Sequence, residues 1–115
     1  SHPNRIFFRS SWEEHLLSVL DSLYARGLIV LVTVPDRIDY TVGGVEHRYY
    51  PDLEWVTAAG LRRVCEVKPE RMLAQGMNPC KLAAARASLG ADFVVFTERE
   101  LFATGGETLE QTCLK

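Results

Sequence analysis

Tyr50-Pro51-Asp52-Leu53-Glu54 and Val64-Cys65-Glu66-Val67-Lys68-Pro69 are the two stretches that decide how this chain folds. Between them lies Ala58-Ala59-Gly60, a fitting three-residue hairpin loop because glycine supplies the positive φ that such a loop requires. The arms are then residues 52–57 and 61–68. With Thr57 facing Leu61, pairing continues outward and sets position 52 opposite position 66. Directly opposed residues of an antiparallel pair project from the same face, so two carboxylates stand side by side. Lys68 returns to that face by the strand period of two. Cys65 points the other way, toward the core, and reads as an inert buried thiol.

Like charges directly across a ladder repel, so this arrangement needs a positive partner. Lys68 alone leaves an excess of negative charge. A hard divalent cation such as Mg²⁺, with Mn²⁺ as its substitute, prefers carboxylate oxygens and offsets the rest. Such a centre takes phosphate oxygens as further ligands and lowers the pKa of a water, which is what hydrolysis of a phosphodiester demands. A lysine alongside can orient that water and stabilise charge developing at phosphorus. Glu54, two residues beyond Asp52 on the same face, is an alternative ligand.

Outward from the hairpin, Ser10 opens a helix running to about Arg26, with Ser10 and Glu13 in capping-box spacing and Gly27 as the stop. Trp12, Leu16, Leu17, Val19, Leu20, Leu23 and Tyr24 share one side of it, and Glu13 falls in the middle of that apolar stripe. A carboxylate turned inward needs a partner; the capping box offers one within its own backbone. Residues 28–34 read as a buried strand closed by Pro35. Residues 37–42 and 45–50 read as a hairpin about Gly43-Gly44. After Pro69 the spacing predicts a short helical piece over 70–75 and a break at Gly76. A helix with Asn78 as cap and Pro79 at its first position follows, ending at Gly90. A strand over 92–97, a short helix over 98–103 and a loosely held polar tail complete the chain. The order predicts one domain of class α/β, a mixed central sheet flanked by helices, with its core over about 9–102 and a tail over 103–115.

The chain has 115 residues and a net charge of −2, which excludes holding nucleic acid by bulk basic charge. Any DNA contact is therefore local. Arg62 and Arg63 flank the hairpin turn, and Lys81 and Arg86 lie on the following helix; each is either a phosphate contact or ordinary surface charge. Cys65, Cys80 and Cys113 are odd in number and show neither disulfide nor zinc spacing, so a reducing cytoplasm is expected. His15 and His47 lack metal spacing, and Tyr49, Tyr50 and Trp55 read as packing residues. No apolar run reaches membrane length and no signal peptide is expected, while Ser1-His2 reads as a cloning remnant.

Pro51-Asp52, thirteen intervening residues and Glu66-Val67-Lys68 resemble the PD-(D/E)xK signature of the restriction-endonuclease-like nucleases. Several further features are similar to the catalytic domain of TnsA-type transposon-end endonucleases, over about Arg9 to Phe102. They are Ser10 and Glu13 opening a leucine-rich helix, Val34-Pro35 before a glycine hairpin, and Thr97-Glu98 after the last strand. That resemblance implies a restriction-endonuclease-like core. It implies Asp52, Glu66, the Val67 carbonyl and the Glu13 carboxylate as metal ligands, with Lys68 as the catalytic lysine. It further implies DNA as substrate, action in the bacterial, archaeal or phage cytoplasm at the nucleoid, and a transposase-like partner or a homodimer. Two other activities suit the same residues: a stand-alone resolvase of four-way DNA junctions, and a nuclease-fold module that binds without cutting.

Overall fold

The computed structural model describes residues 10–115. The start of the expected core at residue 9, the resemblance at Arg9 and the reading of Ser1-His2 lie outside them. The elements run α1 (Ser11–Ala25), β1 (Ile29–Thr33), β2 (Ile38–Val42), β3 (Val45–Tyr49), β4 (Leu53–Thr57), β5 (Arg62–Val67), a 3₁₀ turn (Glu70–Met72), α2 (Asn78–Leu89), a second 3₁₀ turn (Gly90–Asp92), β6 (Phe93–Phe96), α3 (Glu98–Leu101) and α4 (Leu109–Cys113). The main sheet is mixed, in the order β1-β4-β5-β6, and β2 and β3 form a separate two-stranded sheet. The strands β1, β4 and β5 are antiparallel neighbours, and β6 runs parallel to β5 after the crossover through α2.

Alternation along β4, β5 and β6 gives the sheet two apolar faces. Leu53, Trp55, Cys65, Val67 and Phe96 meet Leu16, Leu20 and Leu23 of α1 on one face. Val64 and Phe93 meet Leu82 and Ala85 of α2 on the other, together with Ile38 and Tyr49 of the small hairpin. α1 forms where its capping predicts: the Ser10 hydroxyl accepts from the Glu13 amide at 3.2 Å, and Gly27 takes φ +76° past its end. Gly43 and Gly44 both have positive φ, the requirement of the two-residue turn between β2 and β3.

Four expectations need correction. β1 is an edge strand, not a buried one, with Val30 57% and Leu31 46% exposed. The apolar run fixes strand character but not position, and residues 38–49 pair with each other instead of covering its free side. Tyr24, placed on the apolar side of α1, is 56% exposed. Asn78 is the first residue of α2 and not its cap; its side-chain amide donates back to the Met72 carbonyl at 2.7 Å. The tail is docked, not loose. Thr108 and Gln111 form a complete capping box for α4, Leu109 and Cys113 are buried, and the Trp55 indole donates to the Cys113 carbonyl at 2.9 Å.

Candidate active site

Two hydrogen bonds hold Asp52 against β5. Its amide donates to the Cys65 carbonyl at 2.9 Å, and its Oδ2 accepts from the Val67 amide at 2.7 Å. The ladder pairs Leu53 with Cys65 and Glu54 with Val64. One step further it sets Asp52 opposite Glu66, as the loop spacing predicts. Glu66 is only 5% exposed, and the Asp52 carboxylate is near enough to raise its pKa. The Tyr49 hydroxyl donates to Glu66 Oε1, and Lys68 Nζ stands 3.9 Å from Glu66 Oε2.

These neighbours set the charge of the site. Burial first, and then the charge and hydrogen bond of Asp52, push Glu66 up to about 8; the Tyr49 hydrogen bond and Lys68 pull the other way. Two carboxylates this close do not both ionise readily, so near neutrality the pair holds a proton unless a cation replaces it. The Tyr49 phenol is itself pushed upward, by burial and then by Glu66, and remains a donor. Asp52, Glu66 and Lys68 line one cleft of about 280 Å³ with Arg48, Tyr49, Tyr50 and Lys81.

Other expected residues fall elsewhere. Glu13 is half-buried on α1, which rests on the face opposite the acid pair; its first turn lies beside Val67 and Pro69. Among the described residues no three His, Cys, Asp or Glu side chains converge as a metal-binding group. Val67 presents its amide to Asp52, and because a strand residue's N–H and C=O leave the same edge, its carbonyl is also directed to the β4 side. Glu54 is engaged by Arg62, Nε to Oε2 at 2.9 Å, and does not enter the cleft.

Arg62 also reaches Asp92 at 3.8 Å and lies four residues, roughly 13 Å, along β5 from Glu66. Arg63 projects from the opposite face to Arg62, so the two make no common patch. Arg86 stacks over the Phe93 ring at 6.0 Å. Of the four basic residues considered for DNA, Lys81 alone lines the cleft. His15 bonds the Leu101 carbonyl and stacks on Phe102, and His47 stacks on Tyr40. Sequence reasoning missed Tyr49 and Arg48. Their only signal was position: they end the strand that leads directly into Pro51-Asp52.

No protein-family model, curated protein or solved structure matches this chain. No helix among the described residues is long and apolar enough to cross a membrane.

Proposed function

We propose that this domain is a Mg²⁺-dependent DNA endonuclease with a restriction-endonuclease-like core of the TnsA type, working with a transposase-like partner or as a dimer. The observation that carries the reading is the acid pair, Asp52 and Glu66, with Lys68 on the same face of the β4-β5 hairpin and all three in one cleft. The mixed sheet flanked by helices accords with it. The donor set suits a hard cation: the two carboxyls are adjacent and repel, which raises the Glu66 pKa, and Lys68 is the ammonium that pairs with Glu66. Asp52 and Glu66 would hold the ion with the Val67 carbonyl.

When bound, such an ion supplies Lewis-acid polarisation of the phosphate and lowers the pKa of a water. The chain's own groups do the rest. Asp52 is fixed by the Val67 amide, so its second oxygen has a defined direction. Tyr49 pins one oxygen of Glu66 and leaves the other toward Lys68. The Lys68 ammonium orients the attacking oxygen for in-line displacement and stabilises the charge that builds on the phosphoryl oxygens. The leaving 3′ oxygen is protonated from solvent.

Supercoiled plasmid incubated with the full chain tests this. Nicking that requires Mg²⁺ or Mn²⁺ and disappears in Asp52→Ala and Lys68→Ala is expected. Intact plasmid with every DNA form and both metals would leave the non-cutting binding module as the better account. A strong preference for four-way junctions would favour the resolvase.

A further inference from the structure

We infer that Arg48 of β3 and Lys81 of α2 form a two-sided phosphate clamp, gripping the DNA backbone on either side of the phosphodiester presented to Asp52, Glu66 and Lys68. The inference rests on the nuclease reading and deepens it. Arg48 and Lys81 belong to elements far apart in sequence, yet both line the cleft that holds the acid pair. The hairpin carrying Arg48 is anchored there because Ile38 and Tyr49 pack with Leu82 and Ala85 of α2 in one core cluster. The small sheet, which has no partner strand in the main sheet, and α2 thus both contribute residues to the cleft.

Charge points to the ligand. The cleft contains three cations, Arg48, Lys68 and Lys81, against the two carboxyls of Asp52 and Glu66. The balance is positive in a chain whose net charge is −2. Lys68 is committed to Glu66, whereas neither Arg48 nor Lys81 makes an ion pair among the described residues. Asp39, the cross-strand neighbour of Arg48, is instead engaged by Arg37 at 3.1 Å. Two cations with no ion-pair partner, on two separate elements that line the cleft, suit a polyanion that runs along it. Arginine can bind a phosphate bidentately, while lysine serves as a point charge, so Arg48 sets direction and Lys81 adds attraction. A diester backbone offers phosphates on both sides of the one at the acid pair.

Fluorescence anisotropy of a labelled 30-base-pair duplex, titrated with the full chain in Ca²⁺ and over a range of salt, reads the clamp without cleavage. Arg48→Gln and Lys81→Gln are each expected to weaken binding about 3- to 10-fold and to reduce the slope of log K against log salt by about 0.9, the loss of one phosphate contact. Arg26→Gln, at the far end of α1 in an exposed pair with Glu110, is expected to match the unmodified chain. Unchanged affinity and slope in both cleft variants would overturn the clamp while leaving the nuclease reading intact, provided the plasmid is still nicked. An unmodified chain that neither binds the duplex nor nicks plasmid would remove both. Both side chains lie at the cleft surface and not in the core, and matching thermal melts would confirm that each variant is folded.

Discussion

Asp52 Oδ2 accepts a hydrogen bond from the Val67 amide at 2.7 Å, so the residue proposed to hold the metal also fastens the mouth of the β4-β5 hairpin. Val67 is 8% exposed, and its amide has little water to turn to. Asp52→Ala is therefore expected to cost about 1–3 kcal/mol, the penalty for stranding a buried donor, besides abolishing nicking. Asp52→Asn keeps an acceptor and should recover most of that stability with no recovery of nicking. Urea unfolding of the two variants, set beside their plasmid assays, separates the structural task from the chemical one.

Glu66 makes stability depend on pH in an unusual direction for a carboxylate. Its folded pKa is raised to about 8 by burial and by Asp52, above the ordinary value of 4.5. Between those values the folded chain binds a proton that the unfolded chain has released. The contribution of Glu66 is thus full below about pH 4.5 and is lost as pH rises through about 8. In metal-free buffer the urea midpoint should fall over that window, and Glu66→Gln, neutral throughout, should flatten the fall. Equal slopes in the two proteins would show that Glu66 titrates normally.

Mg²⁺ must displace the same proton. Its affinity is expected to rise about tenfold per pH unit from pH 6 toward 8, by calorimetry, with proton release visible as a buffer-dependent heat. Tyr49→Phe removes a hydrogen bond that lowers the Glu66 pKa, so it should raise that pKa further and weaken Mg²⁺ near neutrality. Carbon-detected NMR of the Glu66 carboxyl follows the shift directly. A Glu66 pKa that is unmoved in Tyr49→Phe would deny the tyrosine its part in setting the site.

Loss of Lys68 should act on the chemical step. Lys68→Ala is expected to slow nicking about 100-fold or more, the usual effect of deleting a preorganised group that stabilises transition-state charge. Duplex binding should weaken only by the loss of one positive charge. Single-turnover nicking at saturating DNA and Mg²⁺ measures the step itself, and a loss that disappears at saturation would assign Lys68 to binding.

Much of the acid pair was legible because a loop of fixed length sets register, and register sets which side chains share a face. Counting outward from Gly60 was enough to pair Asp52 with Glu66. What stayed hidden depends on packing between distant segments. The run 28–34 specifies a strand, but its place at the edge follows from the β2-β3 hairpin closing on itself. Glu13 sits within an apolar stripe, yet which face of the sheet receives that stripe is fixed by Cys65 and Val67 pointing away from Glu66. Tyr49 reads as a packing residue and is one, since its ring is buried; only the fold shows that its hydroxyl ends at Glu66. Arg62 looks available in sequence until Glu54, two positions along from Asp52, turns out to hold it.

The docked tail yields the last prediction. Trp55 is fully buried beneath α4, and its indole donates to the Cys113 carbonyl, the bond that joins the centre of β4 to the end of the chain. Leu109 adds apolar contact to the same cluster. Leu109→Ala should cost about 2–4 kcal/mol by loss of burial and the cavity left behind. Deleting residues 108–115 should cost more, because it also strands the Trp55 N–H and exposes the α1 face of the core. Tryptophan emission should then shift to the red and the melt broaden, although every cleft residue is retained. A truncated chain with an unshifted emission maximum and an unchanged urea midpoint would show that residues 108–115 are dispensable to the core.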